Sequence, residues 1–190
     1  DWLFRRYNRP MVYFSQLDAA SVVALNQFIT RQSFLGVIAK SLAVYAIYLI
    51  PISWFIGWFI VGKRQRELIL SSMTAGLIGW QIINRVLKQF YFHPRPIQDL
   101  AVRELIFQRP ENSFPSDHAA FLMGISAFFL FHALTRRGES KKLAIWFAIF
   151  AIIVGLARVA VAAHFPSDII AGLAVGFLSG WMTSLFHDFL

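Results

Sequence analysis

The feature that most restricts this chain is its succession of long apolar segments. A helix that crosses a bilayer needs ~20 consecutive apolar residues. Five stretches approach or exceed that length, at about 34–61, 68–91, 116–134, 143–163 and 167–186. Backbone inside hydrocarbon must satisfy its own hydrogen bonds, so such segments are helices. The expected fold is therefore all-α. It is a polytopic membrane helix bundle with about five transmembrane helices, in a single domain spanning residues 1–190, with a six-helix core as the alternative. Pro51 is expected to kink the first span. Residues 17–30 carry Asp18, Asn26 and Gln27. They are too polar to cross comfortably and read as an N-terminal interfacial helix. Composition agrees, with 57% hydrophobic and 15% charged residues in 190.

The formal net charge of +8, in so apolar a chain, points to a membrane or an anionic lipid rather than to nucleic acid. The chain has no nucleic-acid motif, Gly-rich phosphate loop or internal repeat of 20 to 50 residues. Without cysteine there is neither a disulfide nor a thiolate-held metal. The sequence begins at Asp1 with no cleavable signal peptide, and residues 1–10 are expected to be an added remnant or a disordered lead. Lys63, Arg64 and Arg66 follow the first span. Arg136, Arg137, Lys141 and Lys142 follow the third. Both turns are expected in the cytoplasm, because basic short loops stay inside. The connections at about 92–114 and 163–167 then lie outside. A five-span chain would also leave Arg5, Arg6 and Arg9 outside, against the same rule, so a crossing by residues 11–30 stays open.

The tetrapeptide Phe-Pro-Ser-Asp occurs at 114–117 and again at 165–168, each time ahead of a long apolar run. Pro suits a helix edge, Ser favours the N-cap, and Asp in the first turn favours the positive helix end. Two well-capped helices account for that much. A helix start also presents unpaired N–H groups that attract anions. The neighbouring residues extend this second reading. His118 directly follows the first copy, His164 directly precedes the second, and Arg158 interrupts an otherwise uncharged span. Lys88 and Arg95-Pro96 stand at the outer end of the second span. Singly, Lys88 could snorkel and either histidine could be structural. Charges in or beside spans mark function by default, and here they collect at one face.

The three blocks are Lys88-x6-Arg95-Pro96, Pro115-Ser116-Asp117-His118 and Arg158-x5-His164-x3-Asp168. Together they resemble the signature of the type 2 phosphatidic acid phosphatase superfamily, across residues 34–188. The form "SFPSDHA" resembles its bacterial undecaprenyl-diphosphate phosphatase branch. Asp117 stands where the family commonly has Gly, and Ala157 where it commonly has Ser. The resemblance implies a membrane-embedded lipid phosphatase with no cofactor and no metal. His164 would be the nucleophile, forming a phosphohistidine, with Asp168 orienting its ring and His118 protonating the leaving group. Lys88, Arg95, Pro96, Ser116, Asp117 and Arg158 would form the substrate-binding set. The implied partners are a polyprenyl diphosphate lipid and the bilayer, with no nucleic acid. The implied location is a bacterial inner membrane, with the site on the outer face.

Phosphoryl transfer is mainly positioning plus stabilisation of the equatorial oxygens. Lys88, Arg95 and Arg158 supply that charge without a metal, and the arginines can clamp a phosphate bidentately. A phosphatase for phosphatidylglycerophosphate or phosphatidic acid, or a lipid phosphotransferase, uses the same groups. A small transporter would need charges through the midplane instead.

Overall fold

A computed structural model of the chain describes residues 16–136 and 140–187. The expectations for residues 1–10, for Arg5, Arg6 and Arg9, and for Arg137 lie outside the described residues. The described residues form helices and connections, with no strand among them. The helices are α1 (Gln16–Thr30), α2 (Ser33–Val44), α3 (Leu49–Ile60), α4 (Lys63–Leu77), α5 (Asn84–Phe90), the single-turn α6 (Pro96–Asp99), α7 (Asp117–Arg136), α8 (Ser140–Ala160) and α9 (Pro166–Phe186).

By length and composition α7, α8 and α9 can each cross a membrane, and α2 with α3 makes a fourth span if that bent pair is one crossing. The sequence suggested five. The difference lies at 68–91, which is helical but divided, because a π-helical stretch at Ile78–Ile83 separates α4 from α5. The bend between α2 and α3 is 44°. It falls at Ala46–Tyr48, a 3₁₀ turn one helical turn ahead of Pro51. A proline ring opposes the carbonyl four residues back, so the chain breaks before the proline rather than at it.

Helix α1 sits where an interfacial helix was expected, and its polarity has an inward cause. Its buried residues are Asp18, Val22, Asn26 and Ile29, a single helical face. Asn26 Nδ2 donates to the carbonyls of Ala160 and Arg103, at 3.0 and 3.1 Å. Its Oδ1 accepts from Arg103 N–H at 2.8 Å. The polar side chain thus ties α1 to the end of α8 and to the loop beside it. Leu17 and Phe28 turn outward.

Helix α7 is central. Ala119, Ala120, Phe121, Leu122, Ile125, Ala127, Phe128 and Phe129 are all buried, with α4, α8 and α9 packed around it. Its most extensive neighbour is α9. Lipid is as apolar as leucine, so burial alone does not drive helices together in a bilayer; small residues that permit close packing do. Gly172, Gly176 and Gly180 recur every fourth residue along α9. A Cβ at Gly176 would lie 2.4 Å from the Ala120 carbonyl oxygen, and one at Gly180 would lie 2.5 Å from that of Gly124. The two backbones touch only because those side chains are absent. On the outside, Phe55, Phe59, Trp146, Ile170 and Phe186 are exposed, a surface suited to lipid and not to water.

Candidate active site

Three connections, α5–α6, α6–α7 and α8–α9, bring the singled-out residues to one end of the bundle. Lys88 lies in the last turn of α5, Arg95 just before α6, Ser116 just before α7, and Arg158 in the last turn of α8. His164 and Asp168 flank the start of α9. The two Phe-Pro-Ser-Asp copies meet directly, since Ser116 N–H donates to the Asp168 carbonyl at 3.0 Å. Gly172 makes this approach possible. A Cβ there would stand 2.5 Å from the Ser116 carbonyl oxygen.

Neither serine caps its helix with its side chain. The hydroxyls of Ser116 and Ser167 are buried and have no hydrogen-bond partner among the described residues. Helix α9 is capped from Phe165, whose N–H donates to Asp168 Oδ2 at 2.8 Å. In the second copy the aspartate therefore takes the capping role expected of the serine. In the first copy the Ser116 hydroxyl is left buried beside the helix start with no partner among the described residues.

The two arginines are held by carbonyls. Arg158 Nη1 donates to the Ala43 carbonyl at 3.2 Å, at the end of α2. That is the negative end of a helix dipole. Arg95 Nη1 donates to the Ala163 carbonyl at 2.9 Å. The Nε atoms of both arginines are buried without a partner among the described residues. An unpaired guanidinium N–H is costly to bury and is satisfied by an anion. Burial lowers the Arg95 pKa from its ordinary value, opposed by the charges of Glu111, Asp117 and Asp168.

Ala162 turns the chain into the site with φ of +58°, a left-handed conformation that side chains disfavour. Strain of this kind persists where the surroundings fix it. Ala162 is fully buried between Arg158 and His164. His164 is 3% exposed. Its Nε2 lies 3.3 Å from Arg158 Nη2. Its Nδ1 lies 3.7 Å from Asp168 Oδ2, so the sequence spacing does bring that carboxylate to the ring. Arginine only donates, so Nε2 carries the lone pair and the proton sits on Nδ1, which has no hydrogen-bond partner among the described residues because Asp168 Oδ2 at 3.7 Å is beyond hydrogen-bond reach. Burial pushes the His164 pKa down to about 4, with the Arg158 and Arg95 charges adding to the effect and Asp168 opposing it. His118 lies within electrostatic reach of Arg158, His164, Arg95 and Lys88.

Lys88 and Asp117 form an ion pair at 2.7 Å. Asn84 Nδ2 donates to the other Asp117 oxygen at 2.9 Å. The π-helical stretch precedes this pair. An extra residue in a helical turn rotates everything after it, which sets Asn84 and Lys88 on one face toward Asp117. Arg85 is exposed off that face. Pro96 is fully buried as the first residue of α6. It shapes the loop that carries Arg95 and offers a phosphate no donor.

Three residues that the sequence did not single out complete the end of the bundle. Asn84 is one. Asn112 is another, donating to the carbonyls of Tyr91 (2.5 Å) and Lys88 (3.3 Å) and accepting from the N–H groups of His93 and Phe114. His93 is the third, with Nδ1 2.8 Å from Asp168 Oδ1. Asn112 stands four residues before Ser116, and nothing in its sequence neighbourhood marked it as a loop latch. The histidine two places before Arg95 was overlooked because it falls inside a block defined by its ends.

Comparison with known proteins places the chain in a family. The profile described as PAP2 superfamily matches residues 68–190. Undecaprenyl-diphosphatase BcrC of Bacillus subtilis (strain 168) is 29% identical over 150 residues, 79% of this chain and 71% of that protein. Phosphatidylglycerophosphatase B of the same strain is 31% identical over 112 residues, 57% of this chain and 53% of that protein. The crystal structure of Aquifex aeolicus LpxE superposes with a TM-score of 0.68 at 22% identity, over 92% of this chain and 98% of that one, a likeness of fold. All three signature blocks, from Lys88 to Asp168, fall inside the matched region, and the chain belongs to the PAP2 superfamily.

Proposed function

We propose that this membrane phosphatase hydrolyses undecaprenyl diphosphate to undecaprenyl phosphate at the outer face of a bacterial inner membrane, recycling the carrier lipid of cell-wall synthesis. The observation that carries the reading is the contact of Arg158 Nη2 with His164 Nε2 at 3.3 Å. It sets a nucleophilic lone pair beside a phosphate-binding guanidinium. The substrate assignment draws on the likeness to the BcrC diphosphatase.

The chemistry proceeds in two displacements. Arg95, Arg158 and Lys88 hold the terminal phosphoryl oxygens, with the Ser116 hydroxyl and the first N–H groups of α7 as further donors. Arg158 Nη2 turns from His164 to the phosphate, the freed Nε2 lone pair attacks phosphorus, and the bond from phosphorus to the bridging oxygen breaks. His118 gives that oxygen a proton, and undecaprenyl phosphate leaves. Asp168 stabilises the positive charge that His164 then shares, through its Nδ1–H. Water next attacks the phosphohistidine, giving its proton to His118. The nitrogen–phosphorus bond breaks, phosphate departs, and both histidines return to their starting state. Asp117 holds Lys88 before substrate arrives, and the ammonium can reach a phosphate oxygen while still paired.

The test is phosphate release from undecaprenyl diphosphate by the purified protein with EDTA present. Turnover is expected to continue, because three fixed cations supply the stabilisation that metal ions give elsewhere. Loss of turnover with EDTA and its return with Mg²⁺ or Zn²⁺ would overturn the cation assignment. Release only from phosphatidylglycerophosphate would favour the second reading, which the 31% identity to phosphatidylglycerophosphatase B supports.

A further inference from the structure

The carboxylate expected to serve His164 is held from the opposite side. Asp168 is fully buried, and its two oxygens are engaged by different segments. Oδ2 accepts Phe165 N–H at 2.8 Å and lies 3.7 Å from His164 Nδ1. Oδ1 lies 2.8 Å from His93 Nδ1. The shorter histidine contact is thus to a residue outside the three signature blocks' named positions.

His93 is itself held through its backbone and its ring. Its N–H donates to Asn112 Oδ1 at 3.0 Å. Its carbonyl accepts from the Ser113 N–H at 2.8 Å and hydroxyl at 2.9 Å. Its ring stacks on Phe165, with centroids 4.5 Å apart and planes 24° apart. Phe165 is the residue between His164 and Pro166. A side chain held this way does not merely fill space. The torsion that turns an aspartate carboxylate is soft, and a bond to one oxygen sets the plane in which the other oxygen lies.

We propose that His93 is a positioning residue for the phosphatase reaction. It donates from Nδ1 to Asp168 Oδ1 and holds the carboxylate so that Oδ2 faces His164 Nδ1 as Nε2 attacks phosphorus. The inference rests on the reading of His164 as nucleophile and Asp168 as its partner. It adds the group that aims that partner.

The test measures kcat and KM on undecaprenyl diphosphate for the wild type and five variants. His93→Phe keeps a flat ring over Phe165 and loses the donor. It is expected to lower kcat about 10- to 100-fold with KM within about twofold, as supporting-residue losses do elsewhere. His93→Asn restores an N–H near the Nδ1 position and is expected to recover most of kcat. In an Asp168→Asn background, His93→Phe is expected to cost less than about threefold, because nothing remains for it to aim. A space-filling role predicts the opposite, with the full His93→Phe loss repeated on top of Asp168→Asn. That result would overturn the proposal, and so would wild-type kcat in His93→Phe. If His93→Phe does not fold, His93→Asn decides: near-wild-type kcat is expected, and a loss equal to that of Asp168→Asn overturns the proposal. Failure of the underlying reading shows separately, as turnover that survives in His164→Ala.

Discussion

His164 owes its chemistry to its surroundings. A free imidazole has a pKa of ~6.5, whereas burial lowers this one to about 4. The sign follows from desolvation, which penalises the charged ring, so the neutral form persists to lower pH. At pH 5 an ordinary histidine would be about 3% neutral and this one about 90% neutral. Nitrogen-15 spectra of the histidine rings, with His164 assigned by its loss in His164→Gln, are expected to show a midpoint near 4. A midpoint at or above 6 would mean that the ring is wetter or better paired than its 3% exposure implies. His118, proposed as the acid, has a different test. His118→Ala is expected to slow phosphoenzyme formation from the lipid diphosphate by ~10²–10⁴-fold, and much less from a nitrophenyl phosphate, whose leaving group needs little protonation. Equal losses on the two would remove His118 as the acid. The sequence made both histidines legible because each adjoins a copy of one tetrapeptide. His93, Asn84 and Asn112 were not legible. Their significance is the direction of a side chain toward partners as far as 24, 33 and 75 residues away in sequence for Asn112, Asn84 and His93, and no local pattern encodes that.

At the scale of elements, the repeated tetrapeptide and the glycine stripe act together. Each tetrapeptide begins a helix, α7 and α9, and the two helices pack along Gly172, Gly176 and Gly180. The glycine nearest the site sets the spacing of the two helix starts, because it lies against the Ser116 carbonyl. Gly172→Ala is therefore expected to weaken the Ser116 to Asp168 bond and lower kcat by about tenfold or more, since small misplacements in an active site are costly. Gly180→Ala, at the far end, meets the Ala127 side chain and the Gly124 carbonyl. It is expected to cost about 1–3 kcal/mol of stability by overpacking, with kcat per folded molecule unchanged. Equal losses of kcat in the two variants would show that the stripe only holds the bundle together. The spans of α7, α8 and α9 were readable from their apolar runs alone. The division of 63–90 was not, because a π-helical stretch has the same apolar composition as the α-helix around it. The inward face of α1 was unreadable for a related reason. Asp18 and Asn26 look the same in sequence whether they meet water or the carbonyls of a neighbouring loop.

For the whole molecule the informative quantity is the asymmetry between its two ends. Lys63 begins the helical run of α4, the π-helical stretch and α5, and Lys88 ends it. Lys141 and Lys142 begin α8, and Arg158 ends it. Each run thus has exposed basic residues at one end and a site cation at the other, which is why a midplane transport path is a poor fit. The exposed end is the one that retention of basic loops assigns to the cytoplasm. In the proposed orientation the site faces outward, at the depth where a lipid diphosphate meets water. The chain has no cysteine, so single cysteines report topology without background. Gly62→Cys, at the exposed turn before α4, is expected to resist an impermeant thiol reagent in intact cells and to react after lysis. Glu104→Cys, exposed in the loop between α6 and α7, is expected to react in intact cells. Labelling in the reverse pattern would put the site in the cytoplasm, where an undecaprenyl diphosphate released outside could not reach it without first crossing the bilayer. The recycling proposal would then fall even if the phosphatase chemistry stood.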